Sequence, residues 1–289
     1  MSLWDLFASH PPLYLGSALV LGLIVGSFLN VLVYRLPLMM ERRWQDEARE
    51  VLGLPAAPAR QRLDLFLPPS HCPHCQHRIR PWENLPLLGY LLLRGRCSAC
   101  NSRISWRYPL VELASAVLTL IAAWHFGVSA HAAAFMLLSW GLLALSLIDI
   151  EHQLLHDVLV LPLLWLGLSV NAFGLFVPLD QALWGAVAGY LVLWSVYWLF
   201  RLVTGKDGMG YGDFKLLAAL GAWGGWQILP FTLLLSSVTG ALVGLILLRT
   251  RGQQAGTPIP FGPYLALAGW IALLWGGQIP ASYLHFAGS

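Results

Sequence analysis

GKDGMGYGDFKLLAALGAWGG, residues 205 to 225, joins a glycine-rich polar turn directly to an apolar run. Gly205, Gly208, Gly210 and Gly212 space out its first half, and Asp207 and Asp213 place two carboxylates just ahead of the second. A charged side chain inside a hydrocarbon layer costs roughly 3 kcal/mol or more, so chains that keep one there keep it for function. The fold therefore turns on whether this run belongs to a membrane.

Composition answers that first. With 57% hydrophobic and 11% charged residues, and a mean hydropathy of +0.66, the chain lies far from a soluble domain of its length. Crossing about 30 Å of hydrocarbon takes about 20 apolar residues. Apolar runs near that length occur at 12 to 33, 110 to 127, 131 to 149, 158 to 176, 181 to 200, 214 to 228, 230 to 248 and 260 to 279. The reading is an all-α polytopic membrane protein of about eight transmembrane helices. Only glycines and Pro230, in GAWGGWQILP, separate the sixth run from the seventh.

Basic residues mark cytoplasmic ends. Twelve of the 17 Lys and Arg lie between Arg35 and Arg107, and the rest are Arg201, Lys206, Lys215, Arg249 and Arg251. Eight spans with an outer N-terminus put all 17 on the inner side and both termini outside, whereas fusing the sixth and seventh would strand Arg249 and Arg251 outside. The net charge of +3 follows from this topology and gives no sign of nucleic-acid binding. No basic stretch precedes the first span and no small-residue cleavage site follows it, so it does not read as a signal peptide. Three parts result: a first transmembrane helix over 1–34, a cytoplasmic insert over 35–109, and a seven-helix membrane domain over 110–289. Within the insert, Met40, Trp44, Ala48, Val51 and Leu52 share one helical face, which suits an interfacial helix and equally a helix packed on the insert.

The insert holds all four cysteines. CPHC (Cys72, Cys75) and CSAC (Cys97, Cys100) are two knuckles 21 residues apart, close to the spacing of a four-cysteine zinc ribbon. A reducing cytoplasm argues against disulfides. Four thiolates close a tetrahedral zinc site, leaving His71, His74 and His77 as exposed loop residues. Such a site is structural and names no activity.

Outside the insert, acids are few. Asp149 closes the third span in LALSLIDIEHQLLHD and Asp213 opens the sixth, so the topology brings both to the inner membrane edge. Two carboxylates sharing a site split their titration, one staying protonated while the other ionises and activates water, as in an aspartic protease. Gly208, Gly210 and Gly212 would let backbone approach closely there. The plain alternative makes Asp213 a helix cap. A phosphate loop is disfavoured, because no strand precedes the glycines and no Lys-Ser/Thr ending follows.

GMGYGDFK resembles the GxGD signature of intramembrane aspartyl proteases. The whole chain resembles bacterial prepilin peptidases, in whose order occur GSFLNVLVYRLP (26 to 37), the two knuckles, ISWRYPLVE (104 to 112), IDIEHQLLHD (148 to 157) and GMGYGDFKLLAALGAW (208 to 223). The resemblance implies Asp149 and Asp213 as the catalytic pair. It also implies cleavage of a basic leader from type IV prepilins or type II secretion pseudopilins, then N-methylation of the new N-terminus from S-adenosylmethionine at the bacterial inner membrane. Where that family reads Leu-Pro-Asp, this chain has Leu155, His156 and Asp157, a less rigid loop. No Rossmann-like glycine fingerprint marks a methyl-donor pocket.

Other polar residues carry two readings each. Gly26 reads as helix packing, while Ser27 and Asn30 suit either packing or a substrate or methyl-donor path. Glu112 suits a third active-site group or an ion pair with Arg107. Asp157 suits a helix cap or an assistant to the pair, and His152 and His156 read as exposed loop residues, with one of them tuning the pair as the second reading. The rival function, a zinc-ribbon-containing transporter with Asp149 and Asp213 as a proton or cation relay, calls for internal repeats and midplane acids, and the chain shows neither.

Overall fold

A computed structural model describes residues 3–56, 58, 61–251 and 259–275. The chain divides into two compact units, Met1–Val128 and Ser129–Ser289.

The first unit is built on two long helices. α1 (Leu3–Ser9) leads into α2 (Pro11–Val51), a loop-rich stretch follows with one short helix, α3 (Leu88–Leu92), and α4 (Arg107–Phe126) closes the unit. α2 and α4 touch along small residues. A Cβ on Gly22 would lie 2.6 Å from Ala116 Cα, and one on Gly26 would lie 2.6 Å from Glu112 Cα, so packing accounts for Gly26. α2 does not stop where its apolar run ends, and residues 40 to 51 continue it without a break. Val51 and Leu52 are exposed there, so this face does not pack on the insert.

The second unit comprises α5 (Ala130–His152), α6 (Asp157–Ala172), α7 (Leu179–Thr204), α8 (Tyr211–Gly224), α9 (Leu229–Arg251) and α10 (Gly262–Leu274). α8 is its centre. Phe214 and Leu216 to Gly224 are all buried, enclosed by α6, α7 and α10. The α7–α8 contact is backbone on backbone: a Cβ on Gly185 or on Gly221 would overlap the other's carbonyl, and one on Gly189 would lie 2.6 Å from Leu217 O. At the C-terminal end of α8, Asn171 Nδ2 donates to Ala222 O and Trp223 O, both at 2.9 Å. Its Oδ1 accepts from Phe176 N and Val177 N, so one buried amide satisfies carbonyls that α8 leaves over and orders the turn into α7.

Each apolar run of the sequence contains a helix. Those of α2, α4, α5, α7 and Trp226–Leu247 are long and apolar enough to cross a membrane, while α6 and α10 are shorter. The sixth and seventh runs are separate helices, because Gly225 takes a positive φ of 74° and a 3₁₀ turn, Trp226–Ile228, intervenes before α9. Residues 276 to 279 of the eighth run lie outside the described residues.

Replacing Gly221 with Leu drives a side chain into the Gly185 carbonyl. Overpacking costs about 1–3 kcal/mol, and the expected outcome is a lower unfolding midpoint in detergent, measured by tryptophan fluorescence. Gly16→Leu is the control, since a Cβ there meets nothing within 4 Å.

Candidate active site and metal centre

Asp149 lies in the last turn of α5 and Asp213 in the first turn of α8. Their residues are 5% and 8% exposed, and Asp213 feels the charge of Asp149. Neither has an ion-pair partner among the described residues, and the nearby Lys215 is committed elsewhere, donating to both Asp157 oxygens at 2.7 Å. That bridge ties the N-terminus of α6 to the first turn of α8. Asp213 is not a cap, because α8 starts two residues earlier, with Gly210 at the N-cap and no side-chain cap bond.

Two contacts place the pair. Gly262, at the start of α10, donates its backbone N–H to Asp149 Oδ2 at 3.0 Å, and a Cβ there would lie 2.6 Å from that oxygen. Leu155 packs between α8 and α10: a Cβ on Gly262 would lie 3.3 Å from its Cδ1, and one on Gly212 would lie 2.7 Å from its Cβ. Gly212 thus needs to be small for close approach, whereas a Cβ on Gly210 would meet nothing within 4 Å. The loop ahead of Asp213 is held by Tyr197, whose hydroxyl donates to Asp207 Oδ1 at 2.7 Å and accepts from Arg201.

His156 departs from the sequence reading. It is 4% exposed, and burial, followed by the charge of His152, lowers its pKa from the ordinary imidazole value. It sits where the related pattern has proline, at the N-cap of α6. Gly262 had no signal in the analysis of acids, although FGP at 261 to 263 is a plausible helix start.

In the first unit the four cysteines converge, their sulfurs all within 4.8 Å of one another. Each knuckle is folded alike. Gln76 N donates to Cys72 O and Asn101 N to Cys97 O, and Gln76 and Asn101, the residues after each second cysteine, take positive φ of 59° and 57°. The chain then returns, Cys72 N donating to His77 O and Cys97 N to Ser102 O, both at 2.9 Å. Cys72 Sγ lies 3.8 Å from Cys100 Sγ, and Cys75 Sγ lies 3.9 Å from Cys97 Sγ. Those separations are far from a disulfide. They match the edge of about 3.8 Å of a tetrahedron with zinc–sulfur bonds of about 2.3 Å.

The thiols themselves report crowding. Backbone N–H groups of Cys75 and His74 pull Cys72 down to about 6, and the Ser102 hydroxyl lowers Cys100. At Cys75 the His77 N–H acts in the same sense, but desolvation and the neighbouring sulfurs outweigh it and push that thiol up to about 12. A divalent cation relieves this conflict by neutralising all four. The histidines stand apart from the cluster: His71 Nδ1 faces Pro69 O, and His77 Nε2 faces Glu83 and Ser98.

Arg35 and Glu112 complete the polar groups of this unit. Arg35 is 6% exposed and donates to Asp64 O and Pro68 O, fastening the loop ahead of the first knuckle to α2. Glu112 accepts from Leu87 N at 2.8 Å and faces the Ser27 hydroxyl, so its partners are neutral rather than Arg107.

A helical membrane protein with two buried aspartates on neighbouring helix ends, and a separate four-thiol knuckle pair, has the architecture of a membrane-embedded aspartic protease with an insert able to hold a metal ion. The Bacterial Peptidase A24 N-terminal domain matches residues 20–126, and the Type IV leader peptidase family matches residues 136–245. The protein called Prepilin leader peptidase/N-methyltransferase in Stutzerimonas stutzeri is 67% identical over 283 residues, covering 98% of either chain. The Pseudomonas aeruginosa protein of the same name is 66% identical over 288 residues, covering 100% of this chain and 99% of its own. The one in Pseudomonas putida is 64% identical over 288 residues, covering 100% of either chain to the nearest per cent. No solved structure matches. The chain belongs to the type IV leader peptidase family.

Elemental analysis of the purified protein should find one thiophilic metal ion per chain. Replacing Cys72 and Cys75 together by serine should remove it and disorder the insert, read as faster proteolysis between residues 61 and 106. Full metal content in the double variant would exclude the four-thiolate site.

Proposed function

We propose that the protein is a prepilin leader peptidase/N-methyltransferase in which Asp149 and Asp213 are the catalytic pair. The observation that carries this is the burial of two carboxylates on neighbouring helix ends, neither with an ion-pair partner among the described residues. Held so, they favour sharing a proton. The ionised member takes a proton from water, the water attacks the scissile carbonyl, and the protonated member gives its proton to the carbonyl oxygen. Gly262 N–H orients the Asp149 carboxylate through this exchange, and the Lys215–Asp157 bridge holds α8 against α6 so that Asp213 stays in register.

The substrates are prepilins or type II secretion pseudopilins, each carrying a basic leader and an apolar helix. The basic residues of this chain cluster in 35–109 and at Arg201, Lys206 and Lys215, which by the positive-inside rule turns those segments to the cytoplasm. The reading is a multi-pass inner-membrane protein with periplasmic termini, a first membrane helix in 1–34, a cytoplasmic insert in 35–109 and a membrane domain in 110–289. A leader kept in the cytoplasm then meets the pair at the inner edge.

Zinc is the metal that best suits four thiolates with tetrahedral edges, and with no ligand position left for water it is structural. S-adenosylmethionine supplies the methyl group, transferred to the amine that cleavage frees. A transporter with the same two acids as an ion relay is disfavoured by membership of a peptidase family over nearly the whole chain.

Asp149→Asn and Asp213→Asn should each lower leader cleavage of a purified prepilin by at least about a thousandfold while the protein still inserts, because one carboxylate cannot serve as acid and base together. Retained cleavage in either variant would remove that residue from the pair.

Gly262→Ala should reduce kcat at least about tenfold, because its methyl group displaces the Asp149 carboxylate. Gly240→Ala, whose Cβ would come no nearer than 3.4 Å to the Tyr264 ring, should retain activity. Equal activity in both variants would show that Asp149 is placed without help from Gly262.

A further inference from the structure

The first unit encloses a cavity of about 470 Å³ bounded by α2, α4 and the insert, within the range of about 300–1,000 Å³ that accepts a small organic ligand. A gap left by imperfect packing between apolar helices would be lined by apolar groups. This one has Ser27, Asn30 and Glu112 among its lining residues.

Two of those groups lack what burial normally demands. Glu112 is 8% exposed, its partners are the Leu87 N–H and the Ser27 hydroxyl, and no ion pair is formed to it among the described residues. A buried carboxylate whose partners are all neutral suits a cationic ligand. Asn30 is 6% exposed. Its Nδ2 donates to Tyr108 O at 3.1 Å, but its Oδ1 has no hydrogen-bond partner. Buried amide oxygens are rarely left so, and this one belongs to a residue of the cavity lining, where a ligand N–H can satisfy it. Packing between α2 and α4 explains the Nδ2 bond and leaves the oxygen unexplained.

The ligand that meets these groups carries a positive charge and N–H donors on a body of nucleoside size. We propose that this cavity binds S-adenosylmethionine, with Glu112 as counter-charge to its sulfonium and Asn30 Oδ1 as an acceptor for one of its N–H groups. This rests on the methyltransferase reading above and adds to it a place in the chain. The ammonium of a cleaved pilin has similar chemistry, so the test uses the donor alone.

Calorimetric titration of the full-length, metal-loaded protein in detergent, without pilin, measures binding of S-adenosylmethionine and of S-adenosylhomocysteine, which lacks the sulfonium charge. Glu112→Gln is expected to weaken S-adenosylmethionine at least about tenfold and the homocysteine compound distinctly less. Asn84→Trp, at an exposed position on the cavity wall, is expected to weaken both by obstruction. Metal content serves as the folding control, and if Glu112→Gln loses its metal, Asn84→Trp decides. Wild-type affinity in a metal-loaded Glu112→Gln, or in Asn84→Trp, would overturn the placement. Absence of donor binding by the wild-type protein would instead overturn the methyl-donor reading on which the placement rests.

Discussion

Burial of α8 is the constraint on which the second unit depends. Its 14 residues reach about 21 Å at 1.5 Å each, short of a bilayer core of about 30 Å. A helix that short is accommodated in a membrane when neighbouring protein encloses it, and here enclosure is nearly complete. It is made possible by absent side chains: Gly185 and Gly189 on α7, Gly167 facing Trp223, and Gly269 facing Leu220. Enclosure then raises the demand on polar groups, since apolar surroundings leave no water to satisfy them. Trp223 Nε1 donates to Leu163 O at 2.9 Å and Asn171 takes the terminal carbonyls. With its sides and far end fixed, the position of the first turn, and of Asp213 in it, follows.

Asp149 is placed by different means. α5 ends just beyond it, with Gln153 in the left-handed region donating its N–H back to Asp149 O, and α10 contributes the Gly262 N–H. One carboxylate is therefore set by helix packing and the other by a helix end together with a backbone donor from a distant segment. The two aspartates are chemically alike but unequally held, and unequal surroundings are what allow a carboxylate pair to divide acid and base duties.

The sequence made helices legible because apolar runs near 20 residues have few other uses, and made the thiol cluster legible because two CxxC knuckles encode their own turn. The separation of α8 from α9 was readable from glycines and Pro230. What was not readable depended on contacts between distant segments. Periodicity placed Met40 to Leu52 on a helical face but carried no sign that this helix is α2 itself continued, since good helix formers in water form a helix whether or not it is joined to a span. His156 looked like a loop residue because its burial comes from tertiary packing. Gly262 acts through its backbone, which every residue except proline possesses, so only its lack of a side chain pointed to it, and in a chain with 28 glycines that signal is faint.

The insert poses the opposite problem from α8. Between residues 61 and 106 the described regular structure is one five-residue helix and two isolated bridges, His71 with Arg78 and Arg96 with Arg103. A segment with so little core needs a staple, and a bound metal supplies folding energy where apolar burial is insufficient. Arg35 adds a second tether from α2. Cys72 and Cys97 also line the cavity whose lining includes Asn30 and Glu112, so the cysteine knuckles form part of its wall. A structural ion that takes no part in chemistry would thereby determine the shape of a small-molecule site, because the sulfurs that hold it and the residues between them are the surface a ligand would meet.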